Sequence, residues 1–185
     1  MKDATPTAPQ AGLVSSDTIE DDKHIVFRLA NELYGAPLAA IREIIKMQPI
    51  KPVPFMVEYF RGILNLRGLI VSVIDLRIKL HLPCQNVNTG LLVVVDTAEG
   101  PIGAIVDDVV SVYDFPKNKI ETHLALKTRI PAEFFIGVAH MDDRLVNIIN
   151  IGATLTSDDF AIVRRTRDAT SSSSFSSIPS DERGD

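Results

Sequence analysis

The apolar residues of this chain come in short runs of Val, Ile and Leu bounded by Gly, Pro, Asn and Asp. That spacing is expected of many short antiparallel strands and points to barrels or sandwiches. Ile25, Phe27 and Leu29 alternate with Val26 and Arg28, a period of two that puts Phe27 on a core face. After Tyr34-Gly35-Ala36 the period changes. Leu38, Ile41, Ile44 and Ile45 fall on one helical face with Arg42 and Lys46 off it, which predicts a short helix over Leu38–Met47, between Pro37 and Pro49. Pro52 and Pro54 break the next stretch, and Phe55–Phe60 has room for one helical turn. A strand pair follows, Gly62–Asn65 and Leu69–Asp75, joined by a tight reversal at Leu66-Arg67-Gly68. Gly68 accepts positive φ there without a Cβ clash, and Arg67 stands at the tip.

His81–Thr89 contains Pro83, Asn86 and Asn88, loses periodicity and reads as the crossover between two halves. Five further strands are predicted at Leu91–Asp96, Ile102–Asp107, Val109–Tyr113, Ile136–His140 and Leu145–Ile149, enough to close a small barrel. Ser157 precedes Asp158 and Asp159, with Arg164, Arg165 and Arg167 downstream, so anions and cations sit at the correct ends of a helix over 157–168. Residues 1–22 and the Ser-rich 169–185 lack periodicity and read as disordered tails. No convincing internal repeat is found.

Composition narrows the function classes. A chain of 185 residues with 45% hydrophobic content can bury one moderate core or two small ones. A net charge of -5 argues against a nucleic-acid partner, which needs a basic face. The alternative of a small-barrel oligonucleotide-binding module is disfavoured further by the absence of Trp and by only 6% aromatics. A single cysteine, Cys84, fits a reducing cytoplasm and offers no zinc site. The acidic run Glu20-Asp21-Asp22 follows no apolar signal region, and stretches such as Ile102–Val106 fall far short of the roughly 18 residues that span a bilayer. Membrane association is therefore expected to be indirect.

Catalytic constellations are not found. There is no G-x-x-x-x-G-K-S/T loop and no G-x-S-x-G elbow, and Gly100-x-x-Gly103 lies inside a hairpin. His24, His81, His123 and His140 are scattered without metal-ligand spacing. The acidic pairs Asp107-Asp108 and Asp142-Asp143 sit at strand ends and fit turn chemistry. No enzyme activity, cofactor or metal is expected.

The order of segments resembles the CheW domain family. The resemblance rests on Phe27-x-Leu29, Leu33-Tyr34-Gly35 and Ile41-Arg42-Glu43-Ile44-Ile45, then Tyr59-Phe60-Arg61-Gly62-Ile63-Leu64-Asn65-Leu66-Arg67-Gly68 and Val73-Ile74-Asp75-Leu76-Arg77. Ile102–Val109, Ile136-Gly137-Val138 and Asp143–Val146 carry it through the second half, so that it covers roughly 24 to 156. Ser72 departs from the proline common in the family before V-I-D-L-R, and Met56-Val57 replace a region that often carries another.

The resemblance implies a mainly β fold of two five-stranded SH3-like barrels packed around a hydrophobic seam, with short helices. A CheW-like domain would span 23–156, the first barrel about 23–82 and the second about 89–150. It implies a non-enzymatic cytoplasmic adaptor coupling the cytoplasmic tips of methyl-accepting chemoreceptors to the regulatory domain of a CheA-type histidine kinase. Other CheW-like domains are further candidate partners, and the membrane is reached only through receptor arrays. Receptor binding would fall to Ile41, Glu43, Gly62, Arg67 and Val71, with Glu43 and Arg67 close together and a bidentate pair between them available to hold one pose. On burial grounds alone, filling the first barrel is a commoner fate for Ile41 and Val71 than lining a groove, and the glycines Gly62 and Gly68 suit backbone geometry.

Overall fold

The runs of Val, Ile and Leu become ten strands in a computed structural model that describes residues 22–54, 56–84, 89–122 and 130–155, with Asp159, Ala161 and Arg164 beyond. They are β1 (Lys23–Leu29), β2 (Glu32–Pro37), β3 (Ile41–Lys46), β4 (Phe60–Leu66), β5 (Leu69–Asp75), β6 (Leu91–Val95), β7 (Ile102–Val106), β8 (Asp108–Asp114), β9 (Phe135–Met141) and β10 (Arg144–Ile149). They sort into two five-stranded sheets, one in the order β8-β1-β2-β10-β9 and the other β3-β6-β7-β5-β4. The mainly β architecture with two such modules is as expected.

The strands do not divide between the sheets at the 82/89 crossover. The middle of the chain, β3 to β7, forms one sheet, while β1 and β2 share the other with β8, β9 and β10. The expected split into a barrel over 23–82 and another over 89–150 is corrected accordingly. The reason is edge completion: the β1–β2 hairpin is flanked by antiparallel β8 and parallel β10. A second parallel pairing, β5 with β7, lies in the other sheet. Local patterning marks a strand without naming its neighbour.

The predicted helix over Leu38–Met47 is also corrected. A three-residue 3-10 turn, Leu38–Ala40, leads into β3. Ile41, Ile44 and Ile45 are β-branched and suit a pleated surface, and β6 supplies the partner, with Ile44 opposite Val93 and Ile45 opposite Leu92. A bulge between Ile41 and Glu43 re-aims the strand. Ile41 then packs on the apolar cluster joining the sheets, and Ile45 on the interior of its own sheet. The expected turn at Phe55–Phe60 is represented by the Phe60 N–H donating to the Val57 carbonyl at 2.9 Å, with Phe55 outside the described residues. The predicted helix over 157–168 and both tails lie largely or wholly outside them too.

Several strands bury both faces. In β1, Ile25, Phe27 and Leu29 join a cluster shared by the sheets, while Val26 joins the interior of its own. In β6, Val93 and Val95 face the shared cluster and Leu92 and Val94 the interior. Ile102, Ala104 and Val106 in β7 and Ile149 in β10 add to the same seam. Strands buried on both sides read as unbroken apolar runs, as Leu91–Val95 does.

Ser72 is fully buried in β5 between Ile63 and Ile102, and its hydroxyl has no hydrogen-bond partner among the described residues. Such a group costs about 1–3 kcal/mol. Ser72→Ala should raise the unfolding free energy in urea by about 1 kcal/mol; no gain would mean that the hydroxyl is satisfied in solution.

Candidate functional site

The β4–β5 hairpin presents a charge at the end of a rigid two-residue turn. Arg67 and Gly68 both take positive φ, 55° and 90°, as tight hairpins of this length require. The Asn65 side-chain oxygen accepts from the Gly68 N–H at 2.6 Å and holds the reversal closed. The Asn65-Leu66-Arg67-Gly68 block is thus a turn specification with a cation at its apex.

At the apex, the Arg67 side chain is 82% exposed and its guanidinium lies 3.8 Å from the carboxylate of Glu43, whose side chain is 26% exposed. The expected proximity is present, although the contact is a single long ion pair rather than a bidentate hydrogen bond. Glu43 belongs to β3 and Arg67 to the turn beside β4, and these strands are opposite edges of one sheet. The pair can meet only because the sheet curls. Closure is visible where Lys51 pairs with Ile63 through two backbone hydrogen bonds, 2.8 and 2.9 Å.

The remaining predicted site residues have different roles. Ile41 is partly buried against the seam. Val71 is fully buried in the interior cluster of its own sheet and has no surface to offer a partner; of its two expected roles it takes the filling one. Gly62 has φ +131°, and a Cβ there would lie 2.1 Å from the Lys51 carbonyl oxygen, so it allows the closing pairing. A Cβ added at Gly68 would meet no atom within 4 Å. Gly62→Ala should therefore destabilise by about 3 kcal/mol, combining strain with a backbone clash. Gly68→Ala should cost only about 1–2 kcal/mol, the backbone strain alone; equal losses in chemical denaturation would refute the distinction.

Two further constellations were not singled out from the sequence. Asp75 caps the short helix α1 (Leu76–Lys79), accepting from the Arg77 N–H at 3.0 Å. Its carboxylate also receives the Arg77 guanidinium at 2.9 and 2.7 Å. A second carboxylate, Asp107, takes the remaining Arg77 nitrogen at 2.5 Å, and its other oxygen accepts from the Ala30 N–H at 2.6 Å. The hydrogen bond with Asp75, ahead of the one with Asp107, raises the Arg77 pKa against the opposing effect of burial. An acidic residue two before an arginine at a strand end was the available sequence signal; the third member is remote in sequence. Asp107 does not act as a turn residue, whereas Asp108 does bond locally, accepting from the Val109 N–H at 2.9 Å.

Asp159 receives the Tyr59 hydroxyl and the Lys79 ammonium, the latter at 3.0 Å, and Lys79 lies 3.9 Å over the Tyr59 ring. This contact anchors the chain beyond the last strand beside the base of the hairpin. Farther on, Arg164 pairs with Glu99, and that pairing raises the Arg164 pKa. Among the histidines, His24 bonds the Asp22 carbonyl at 2.8 Å and packs edge-on to Phe115, while His140 lies 3.8 Å from Glu121. His123, Arg165 and Arg167 are outside the described residues. Among those described, no cluster of three or more His, Cys, Asp or Glu could hold a metal ion, and no helix is long and apolar enough to cross a membrane. Cys84 is a free thiol.

Burial, and then the hydrogen bond to Asp159, push the Tyr59 phenol well above its ordinary value of 10.0; Tyr34 is raised likewise by burial and Glu32. A phenol raised in the folded state stabilises the fold below its unfolded pKa, and that contribution is lost as pH climbs toward the folded one. Unfolding free energy should therefore decline above about pH 10. Tyr59→Phe, which cannot ionise, should lessen the decline; an identical slope in urea titrations across this range would contradict the shift.

The chain is thus a two-module β-protein, its five-stranded sheets sharing an apolar seam with a charged hairpin outside it. The family model described as CheW-like domain matches residues 23–159, and the chain belongs to that family. It is similar to the chemotaxis protein CheW of Treponema pallidum, 26% identical over 140 residues, which cover 73% of this chain and 82% of that protein. It is also similar to CheW of Bacillus subtilis, 29% identical over 138 residues, covering 72% and 86%. Among solved structures it resembles the scaffolding protein TtCheW from Thermoanaerobacter tengcongensis, with a TM-score of 0.68, 29% identity, and coverage of 85% of this chain and 96% of that one.

Proposed function

We propose that this protein is a non-enzymatic chemotaxis adaptor that couples methyl-accepting chemoreceptors to a CheA-type histidine kinase. Family membership supports the adaptor role, and the B. subtilis and T. pallidum relatives carry the chemotaxis name. The observation that carries the reading to a site is the Arg67 guanidinium, held out by a two-residue turn and facing Glu43 across the closed edge of the sheet. A receptor tip is a helical hairpin, and gripping one takes an apolar groove with a few charges to set register. Arg67 and Glu43 supply the charges and Ile41 the adjoining apolar surface. Gly62 and Val71 act from behind, one allowing closure and the other filling the interior. The kinase regulatory domain and other CheW-like domains are the remaining partners, and the protein works in the cytoplasm, reaching the membrane through receptors.

An exposed ion pair contributes only about 0–1 kcal/mol to folding, so reversing Arg67 leaves the fold intact. Arg67→Glu should reduce capture of a receptor cytoplasmic fragment about tenfold or more, a loss of about 1.4 kcal/mol. The double exchange Arg67→Glu with Glu43→Arg should recover part of it. Undiminished capture by a folded Arg67→Glu variant, monitored by circular dichroism and titration calorimetry, would remove the hairpin tip from the site.

A further inference from the structure

The two sheets meet through an apolar seam, and apolar contact is non-directional. A polar connection between them has fixed geometry. Asp75 ends β5 in one sheet and Arg77 lies in the short helix that follows it, while the Ala30 N–H belongs to the turn between β1 and β2 in the other. Asp107 stands at the chain's return from β7 to β8, and it joins the two sides. Its own N–H donates to the Arg28 carbonyl at 3.0 Å, so backbone and side chain both bind the β1–β2 end.

The charge inventory makes Asp107 notable. The Arg77 side chain is 3% exposed and already has a bidentate partner in fully buried Asp75, which neutralises it. A second carboxylate is not needed for neutrality, and its partial desolvation carries a cost. What it adds is geometric: one oxygen on the guanidinium and the other on the Ala30 amide, two charge-assisted bonds of set direction.

We infer that the Asp75–Arg77–Asp107–Ala30 connection sets the mutual pose of the two sheets, making Arg77 and Asp107 positioning residues for capture of a partner between them. The pose follows from the contacts themselves; the part concerning capture rests on the adaptor reading. Asp107→Asn separates the linkage from the charge pair. An amide offers one accepting oxygen and one donating nitrogen, so it cannot accept from Arg77 on one atom and from Ala30 on the other as the two carboxylate oxygens do, while the Asp75–Arg77 pair remains whole. Arg77→Lys is the complementary variant, since one ammonium cannot reproduce a planar fork.

Spin labels on exposed Asp143→Cys and Lys46→Cys, one on each sheet, in a Cys84→Ser background, would report the distance between the sheets. The parent should give one narrow distribution. Asp107→Asn should broaden or shift it while amide protection within each sheet persists. If the competent pose falls to about one tenth of the population, receptor-fragment affinity falls about tenfold. An unchanged distribution in folded Asp107→Asn overturns the inference, whatever happens to capture. A broadened distribution with undiminished capture overturns the positioning role. Should Arg77→Lys fail to fold, Asp107→Asn decides alone. A parent that ignores receptor fragments sinks the adaptor reading, while the distances still judge the connection between the sheets.

Discussion

A strand that is apolar on both faces must find cover on both, and in this protein the second cover is the other sheet. Ile25, Phe27 and Leu29 on one side and Val93, Val95, Ile102, Ala104 and Val106 on the other share a cluster that neither sheet could close alone. The interleaved chain path reinforces the dependence. Because β1 and β2 are completed by β8 and β10, the middle of the chain is inserted between parts of a single sheet. Both modules therefore stand or fall with the seam, and a surface spanning them has a defined shape only while it holds.

The hairpin translates that closure into chemistry. Lys51 pairing with Ile63 brings the edge of the curled sheet round, and Gly62 leaves the room that the pairing requires. Asn65 and Gly68 then hold a turn whose outermost side chain is Arg67. Four of the residues in the most recognisable stretch of the sequence thus serve backbone geometry or display. Glu43 completes the arrangement from the opposite edge, at a distance that marks electrostatic company more than a locked bond.

Buried polar groups are expensive, and those present fall where direction matters. Arg77 binds two carboxylates at the junction of the sheets, and Asp159 takes the Tyr59 hydroxyl and the Lys79 ammonium where the chain leaves the last sheet. Ser72 is the exception, a buried hydroxyl without a partner among the described residues. Val71 and Ile41 show the converse: two apolar residues with similar prospects in the sequence divide between a closed interior and the edge of the seam.

Much was settled by the sequence itself. Most strand positions, though not β2 or β3, followed from short apolar runs and their turn residues, since chain reversal needs Gly, Pro, Asn or Asp locally, and the arginine at the hairpin tip followed from Arg67-Gly68 between two such runs. The motif order pointed to the family. Tertiary structure alone decided the rest, because it depended on partners distant in the chain. Ile41, Ile44 and Ile45 fit a helical period, and only pairing with β6 made them a strand. The sorting of strands into sheets followed edge completion, which leaves no local mark, and Asp107 became a link between modules because folding set it beside Arg77 and Ala30. Periodicity records how a residue relates to its neighbours in sequence; contact between remote segments is determined by the shape into which all of them pack.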